Sequence, residues 1–394
     1  MATPNAPAGR LPDSTRDRLV TAAFVRLATA DLAYFTAAGV SIYALPLYVT
    51  GPVGSDTAAA GLAFGVFAVS ALVLRPLAGR LADTRGRRPL LLGGALLCAA
   101  VMALTASAGT VPLIVALRLV LGVAEAAFMV ASFAALADLA PPGRLGEALS
   151  YNSLGLYLGL ALGPPLGELL VNTGGFSAAW YGAAGLALLA AKVAHGIGET
   201  RAPDSRAERP ARLIHRGAIA PGLGLLASVV AMGGFLAFAS LHAGAVGLQS
   251  TSIPLFTYGA VVVTCRIAFA KVPDRWPALP LGAAALAAIA AGLTVLALWN
   301  TWTGAVVGAA VVALGVTFST PAFFAAIFST ARPSERGAAA GTTSAFLDLG
   351  LGGGPILLGF VAQAAGIPWA FGVAAAVALA GGAWTLSLAG RRAS

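Results

Sequence analysis

Long apolar stretches that recur through the whole 394-residue chain constrain its fold more than any other feature. A helix needs about 20 apolar residues to cross a bilayer, and twelve stretches of this kind can be counted. They lie near residues 20–49, 57–79, 89–108, 111–137, 146–171, 176–197, 218–243, 252–271, 279–298, 302–329, 338–361 and 369–388. Because the stretches are unbroken and lack the alternation of barrel strands, the sequence predicts an all-α polytopic membrane protein.

The composition excludes the common soluble classes. Charged residues make up 10% of the chain, against about 25% in soluble domains, and hydrophobic residues make up 58%. A water-soluble enzyme, a disordered tail and a secreted disulfide scaffold are therefore excluded. Both cysteines, Cys98 and Cys265, lie inside apolar stretches, which favours core positions over a disulfide or a metal site. The sequence shows no ATP-binding loop and no nucleophile paired with a base, so we expect no enzyme activity, cofactor or metal.

Lys and Arg residues alternate between the two sides of the predicted membrane. Of the 24, eighteen lie in the tails and in alternate loops, six lie within spans, and the opposite loops hold none. Loops rich in Lys and Arg stay cytoplasmic, which predicts cytoplasmic termini in a cell (inner) membrane. This topology accounts for the net charge of +9 without a nucleic-acid partner. Five of the six, including Arg75 and Arg266, are expected to reach the cytoplasmic interface, which leaves only Arg118 unexplained.

The chain is expected to consist of two similar halves. A polar linker over residues 199–217 separates a bundle of six spans at 1–198 from a second bundle at 218–394. One motif recurs 191 residues later, as Arg75, Arg80 and Asp83 in RPLAGRLAD and Arg266, Lys271 and Asp274 in RIAFAKVPD. Gly163-Pro164 recurs as Gly354-Pro355 at the same offset. Parallel repeats of six spans, with a substrate site between them, are a transporter architecture.

The loop between spans 2 and 3 reads GRLADTRGRRP, from Gly79 to Pro89. It resembles the G-x-L-a-D-r-x-G-r-r signature of the major facilitator superfamily. The resemblance implies a conformational latch made of Gly79, Asp83, Arg85, Gly86, Arg87 and Arg88. In this latch Gly79 would admit a neighbouring helix, Gly86 would form a tight turn, and Asp83 would bond a partner in the other half. A loop that served only the positive-inside rule would require neither Asp83 nor the two glycines.

Two further segments resemble elements of the same superfamily. RLVLGVAEA in span 4 resembles an R-x-x-q-G element of proton-coupled members, which implies a role for Arg118 in proton transfer. GLYLGLALGPPLGE in span 5 resembles the antiporter signature of the drug:proton antiporter branch. Its matching residues are Gly155, Gly159, Gly163, Pro164 and Gly167. Glu168 stands where that branch often has another glycine, and close helix packing is the alternative reading of the stripe.

Three carboxylates, Asp31, Glu125 and Asp348, are predicted to lie near mid-depth. Ionisable groups are rare there and are functional by default, and the low dielectric favours the protonated form that a proton carrier needs. Together with Arg118 they are the proton-coupling candidates, with Asp31 and Glu125 as the titrating pair. Structural hydrogen bonding is the alternative for each carboxylate. The candidates for lining a substrate cavity are Tyr34, Asn152, Tyr157, Phe235, Phe238 and Phe346.

The resemblance covers nearly the whole chain and implies twelve transmembrane helices in two pseudo-symmetric six-helix bundles. It implies a monomeric secondary active transporter that moves small molecules by alternating access. We expect a proton-coupled antiporter that exports small amphipathic or cationic compounds, because three acids against one arginine would make the cavity negative. A sugar or other metabolite carrier is the alternative, disfavoured because only one amide, Asn152, lies clearly inside a span. A non-transporting membrane receptor would not need mid-depth carboxylates.

Overall fold

A computed structural model describes residues 19–141, 144–201, 214–269, 271–332 and 335–393. Over these residues the secondary structure is helical, without strands. The helices are α1 (Ala22–Thr50), α2 (Thr57–Gly65), α3 (Phe67–Arg85), α4 (Arg87–Thr105), α5 (Val111–Leu139), α6 (Leu145–His195), α7 (Arg216–Ala245), α8 (Ile253–Ala268), α9 (Val272–Arg275), α10 (Ala278–Leu298), α11 (Trp302–Phe328), α12 (Arg336–Ala365) and α13 (Ile367–Ala393).

The helices of the described residues account for the twelve predicted spans. Ten helical segments are long and apolar enough to cross a membrane, with α2 and α3 together forming one of them. The helix α6 contains spans 5 and 6, because Gly174 and Gly175 leave helical geometry and Gly175 adopts a φ of 73°. This φ lies in the left-handed region that only glycine enters without strain, and the chain reverses there. The remaining span is α8, which is apolar but only 16 residues long.

The two halves repeat one close helix crossing. A Cβ added to Gly163 would lie 2.5 Å from the Cα of Gly39, so α6 and α1 touch through their backbones. A Cβ added to Gly354 would lie 2.7 Å from the carbonyl oxygen of Val230, where α12 meets α7. Gly163 and Gly354 are 191 residues apart, as are Gly39 and Val230. The sequence offset therefore appears in the packing, where small residues let helix backbones approach.

Two of the helix pairs that join the halves pack through small residues. In the first pair, α2 lies on α12 so closely that Gly61 has no room for a side chain beside the backbone of Pro355. In the second pair, α8 lies on the first part of α6, and Gly259 is equally confined against Ala161. Both contacts bury small residues, and both bring side chains of opposite halves into direct contact.

The two ends of the molecule differ in charge and in closure. We call the end that carries Arg85, Arg144 and Arg332 the basic face, and the other end the opposite face. Near the opposite face Thr57 Oγ1 donates a hydrogen bond to Gln363 Oε1 at 3.2 Å, which joins the halves. The hydrogen bonds that join the halves lie between this end and mid-depth, from which we infer that the cleft between the halves opens toward the basic face.

The segment that joins the halves is described only at its ends. Residues 199–201 and 214–217 belong to the described part, whereas 202–213 lie outside it. The boundaries assigned from sequence to the first bundle, the linker and the second bundle therefore stay a prediction.

Candidate functional site

An ion pair crosses between the halves near mid-depth. Arg75 in α3 contacts Asp348 in α12 with both ends of its guanidinium, Nε to Oδ2 at 2.6 Å and Nη2 to Oδ1 at 2.8 Å. The Asp348 side chain is 3% exposed and that of Arg75 is 22% exposed. Bidentate pairing of this kind is the strongest arginine–carboxylate geometry. The expectation that Arg75 reaches the membrane interface is therefore wrong, because a buried carboxylate of the other half offers it a better partner.

Glu125 in α5 lies beside this ion pair. Its Oε2 accepts a hydrogen bond from Tyr34 Oη at 3.3 Å, and Tyr34 stacks on Phe128 with ring centroids 3.9 Å apart. Arg75 and Asp348 are both within electrostatic range of the Glu125 carboxylate. Glu125 is partly exposed, unlike the other mid-depth acids. Glu125 is thus a partly exposed residue whose carboxylate interacts electrostatically with the inter-half ion pair.

A second arginine crosses between the halves at the equivalent position. Arg266 in α8 donates from Nη2 to Tyr157 Oη in α6 at 3.1 Å, and its guanidinium lies 4.2 Å from the centroid of the Tyr157 ring. Arg75 and Arg266 are 191 residues apart, and so are Tyr157 and Asp348. We call Arg75–Asp348 the first crossing and Arg266–Tyr157 the second crossing. The two crossings are related by the internal repeat but differ in the group that accepts hydrogen bonds from the arginine.

Arg118 is enclosed within the first half. Its Nε donates to the carbonyl of Ala63 at 3.0 Å, its Nη2 to that of Phe64 at 3.3 Å, and its Nη1 to Ser41 Oγ at 3.2 Å. The two carbonyls belong to the last turn of α2, where the second span is interrupted before α3. Arg118 therefore satisfies backbone acceptors at this interruption, which is a structural task in a membrane.

Asp31 is sealed and lies apart from Glu125. It is 0% exposed, and both of its oxygens accept from Ser132 Oγ, at 2.9 and 2.8 Å. The Asn152 side chain also hydrogen-bonds it. These bonds join α1, α5 and α6 within one half. The grouping of Asp31 with Glu125 as a titrating pair is not seen, because Asp31 is enclosed on every side whereas Glu125 faces the inter-half region.

At the opposite face Glu168 ties the first half to the second. The carboxylate accepts from Ser250 Oγ, from Thr251 N at 2.6 Å and from Ser252 Oγ at 2.7 Å, all just before α8. Tyr43 Oη lies 2.9 Å from Thr251 Oγ1 and adds a further link. A carboxylate at a helix N-terminus is stabilised by the helix dipole and by unpaired N–H groups. The residue that departs from the antiporter signature thus closes one end of the molecule.

The latch loop makes its contacts within the first half. Arg87 pairs with Asp83 at 3.0 Å, one turn away, and with Asp138 in α5 at 3.1 Å. The predicted inter-half partner of Asp83 is absent from the described residues, because the Asp83 side chain is 43% exposed and pairs instead with Arg87 of its own half. A Cβ on Gly79 would have no neighbouring atom within 4 Å, so the expected close helix approach is also not seen. Arg85 and Arg88 lie in the same loop, and Arg88 contacts His195.

Glu199, at the start of the linker, packs on the turn of the latch loop. Gly86 has a φ of 103°, as expected of a tight turn, and Glu199 occupies the space where a side chain would project. Glu199 accepts from the backbone N–H of Arg87 at 2.8 Å, of Arg88 at 3.2 Å and of Arg201 at 3.0 Å. Burial raises the pKa of the Glu199 carboxyl. The backbone donors lower this pKa by a larger amount, so the net pKa lies below its ordinary value.

The glycine stripe of α6 packs against α1. Gly159 lies against Phe35 and Thr36, Gly163 against Gly39, and Gly167 against Tyr43. Gly155 approaches Ala28, and Pro164 covers Gly39. All of these contacts are within the first half, so the stripe acts here through close helix packing.

The aromatic candidates divide into core and cleft. Phe235 and Phe238 are fully buried, so their assignment to a substrate cavity is wrong and they pack the core of the second half. Tyr34 and Asn152 are also buried, at 1% and 6% exposed, so they do not line an open cavity either. The remaining candidates, Tyr157 and Phe346, are partly exposed.

Four residues with inter-half or loop-closing contacts were not among the site residues predicted from the sequence. They are Arg75, Arg266, Glu168 and Glu199. The shared offset of 191 residues held the signal for the first two, because it relates the arginines to each other and Tyr157 to Asp348. No comparable signal in the sequence points to Glu168 or Glu199.

Comparison with known proteins agrees with this architecture. A sequence model of the Major Facilitator Superfamily matches residues 27–352. The chain is 32% identical over 369 residues to an uncharacterized MFS-type transporter of Burkholderia mallei (strain SAVP1), covering 90% of this chain and 89% of the relative.

Solved structures with the same fold include the nucleoside transporter NupG, with a TM-score of 0.75, 13% identity and coverage of 93% of this chain and 99% of that one. A bacterial homolog of the human lysosomal transporter Spinster, inward-facing and occupied, gives a TM-score of 0.74 at 16% identity, covering 97% and 98% of the two chains. The predicted fold of twelve helices in two six-helix bundles is confirmed, whereas the drug:proton antiporter branch stays a prediction. This multi-pass membrane protein belongs to the major facilitator superfamily of transporters.

Proposed function

We propose that the chain is a monomeric, proton-coupled antiporter that exports small amphipathic compounds by alternating access. In this proposal the basic face is cytoplasmic, as the distribution of Lys and Arg predicts for an inner-membrane protein. The state described here would then be inward-facing, because the hydrogen bonds between the halves lie between the opposite face and mid-depth. The observation that carries the proposal is Glu125, a partly exposed carboxylate beside the first crossing between the halves.

The charge of Glu125 would set the strength of the first crossing. When Glu125 is protonated, Arg75 is held by Asp348 alone, and the halves stay joined at mid-depth. When Glu125 loses its proton to the cytoplasm, it competes within its own half for Arg75 and weakens the contact with Asp348. The crossing can then open, the cleft can face outward, and an external proton can return to Glu125. Export of a compound against entry of a proton follows from this cycle.

The export direction and the kind of substrate have separate support. The direction rests on the resemblance of span 5 to the antiporter signature, from which Glu168 departs. The charge count that favoured a cationic substrate no longer holds, because Asp31 and Arg118 are enclosed and Asp348 is paired. Relatives of this fold include a nucleoside transporter and a homolog of a lysosomal transporter, so the fold itself selects no substrate.

The test uses purified protein in liposomes that contain a pH-sensitive dye, under an imposed pH gradient. Cationic dyes, neutral drugs, organic acids, sugars and amino acids are added in turn. We expect substrate-dependent proton movement in the wild type and its loss in Glu125→Gln. Asp31→Asn is the matched control, because it removes an equally deep carboxylate that does not face the cleft, and it should retain coupling.

Two results would contradict the proposal. Proton movement of wild-type size in Glu125→Gln would remove Glu125 from the mechanism. Transport of a compound by the wild type without any proton movement would show a uniporter, and the coupling assigned to the first crossing would then be wrong.

A further inference from the structure

In the second crossing the Arg266 guanidinium has no carboxylate partner among the described residues. Arg266 contacts the hydroxyl and the ring of Tyr157, both neutral groups. Among the ion pairs of the described residues none includes Arg266, and its Nε–H is buried without an acceptor there. An unpaired cation at membrane depth is costly unless an anion or water compensates it.

In the first crossing the arginine at the equivalent position has its charge balanced by a carboxylate. There Arg75 meets a carboxylate, Asp348, at the position that the repeat relates to Tyr157. The fold therefore places an acceptor opposite each arginine, but only one of the two acceptors is acidic. In the second crossing no residue of the described part supplies the missing negative charge, so a bound anion can supply it.

The position of Arg266 suits an external ligand. Arg266 and Tyr157 are both partly exposed, and they meet between the two halves. Behind them Gly259 packs on Ala161, and Glu168 closes the opposite face. A guanidinium fixed by an aromatic ring presents parallel N–H donors, which match the two oxygens of a carboxylate.

We propose that Arg266 and Tyr157 bind the acidic group of the transported compound, so that the substrate is an organic carboxylate with an apolar body. This inference rests on the proposed transport function and names its substrate class. The carboxylate accepts from Arg266, while the Tyr157 hydroxyl reorients and donates to it. With substrate bound, both crossings hold one arginine and one carboxylate, and the two halves become electrostatically alike.

The experiment measures binding without a proton gradient. Detergent-purified protein is titrated with acetate, hexanoate, benzoate and indole-3-acetate, and each is compared with its neutral amide by the shift in unfolding temperature. We expect at least one carboxylate to bind and its amide not to bind. Arg266→Gln should weaken that binding about tenfold or more, because a charge-assisted hydrogen-bond pair is lost, and Arg266→Lys should weaken it less.

Tyr157→Glu is the decisive variant, because it gives Arg266 the internal acid that Arg75 already has. It should fold at least as stably as the wild type and lose carboxylate binding. The proposal is overturned if no carboxylate binds, if amides bind equally, or if Arg266→Gln binds as well as the wild type. It is also overturned if phosphatidylglycerol gives the same Arg266-dependent shift and displaces the carboxylates, since the site would then hold a lipid headgroup.

The assay separates this inference from the proposed function. Carboxylate binding that depends on Arg266, without any proton movement in liposomes, would keep the substrate class and reject the coupling. Proton-coupled transport of neutral compounds alone, unaffected by Arg266→Gln, would keep the coupling and reject the carboxylate substrate class.

Discussion

The two crossings occupy equivalent places in the repeat and are nevertheless built from different chemistry. Arg75 is bound at both ends of its guanidinium by a buried carboxylate, whereas Arg266 lies on a tyrosine ring and has an unused donor. The backbone symmetry therefore fixes where an arginine can reach across, and a single acceptor residue decides whether its charge is balanced. We infer that the balanced crossing responds to a proton at Glu125 and the unbalanced one to a ligand.

The largest effect should follow from breaking the first crossing on one side only. Asp348→Asn leaves Arg75 without its counter-charge, which we expect to cost about 3 kcal/mol and to lower transport at least tenfold. Thermal unfolding of the purified variant measures the loss. The double variant Arg75→Gln/Asp348→Asn removes both charges and should recover most of the stability. Equal unfolding temperatures for the single and double variants would show that the pair is not coupled.

Unlike the two crossings, the opposite face is closed by an acidic residue without an arginine, and Glu168→Gln should loosen it. The substitution keeps the side-chain shape but removes the charge from hydrogen bonds worth about 2 kcal/mol, which corresponds to about 25-fold in the population of the closed state. Spin labels at Asn172 and Gln249, both exposed at that face, report the separation. We expect a longer distance than in the labelled wild type. An unchanged distance distribution would mean that Gly61 and Gly259 contacts suffice to close this face.

The second crossing should tolerate loss of its hydroxyl better than the first tolerates loss of its acid. Tyr157→Phe removes one acceptor of Arg266 but keeps the ring, so we expect a cost of about 1 kcal/mol. Thermal unfolding beside Asp348→Asn measures the difference. Losses of the same size in both variants would contradict the distinction between a balanced and an unbalanced crossing.

The smallest effect is expected far from both crossings, at Glu199. Because backbone donors hold its pKa below the ordinary value, its contact stabilises the protein above about pH 4.3 and is lost as the pH falls through the lowered pKa. The carboxylate is exposed, so the contribution should stay below about 1 kcal/mol. Wild type and Glu199→Gln should differ in unfolding temperature near neutral pH and converge in acid. A difference in unfolding temperature that persists in acid would show that the effect does not come from the ionised Glu199 carboxylate.

The fold was accessible from sequence because its signals are local or strictly periodic. Hydrophobic length marked every span, and the gap between spans 5 and 6 fell where Gly174 and Gly175 leave helical geometry. The repeat offset seen in Gly163 and Gly354 reappeared as one backbone crossing in each half. These features depend on bilayer thickness and residue size, which a sequence states directly.

The site was less accessible because partners at membrane depth are chosen by three-dimensional proximity. Arg75 looked like an interfacial residue by its distance from a helix end, but its partner, Asp348, is 273 residues away. Asp31 and Glu125 are both carboxylates predicted at similar depth, and only packing makes one fully buried and leaves the other partly exposed. Phe235 and Phe238 were misassigned for the same reason, since an aromatic in a span reveals neither its face nor its neighbours.

The buried hydrogen bonds of Asp31 and Arg118 also bear on the rigidity of the first half. Asp31 fastens α1 to α5 and α6, and Arg118 fastens α5 to the end of α2, so this half should pivot as one stiff lever. With a fulcrum at the mid-depth crossings, each arm is about 15 Å, half of the hydrocarbon thickness. A tilt of about 20° would then swing each tip by about one helical turn, opening one mouth of the cleft as it shuts the other.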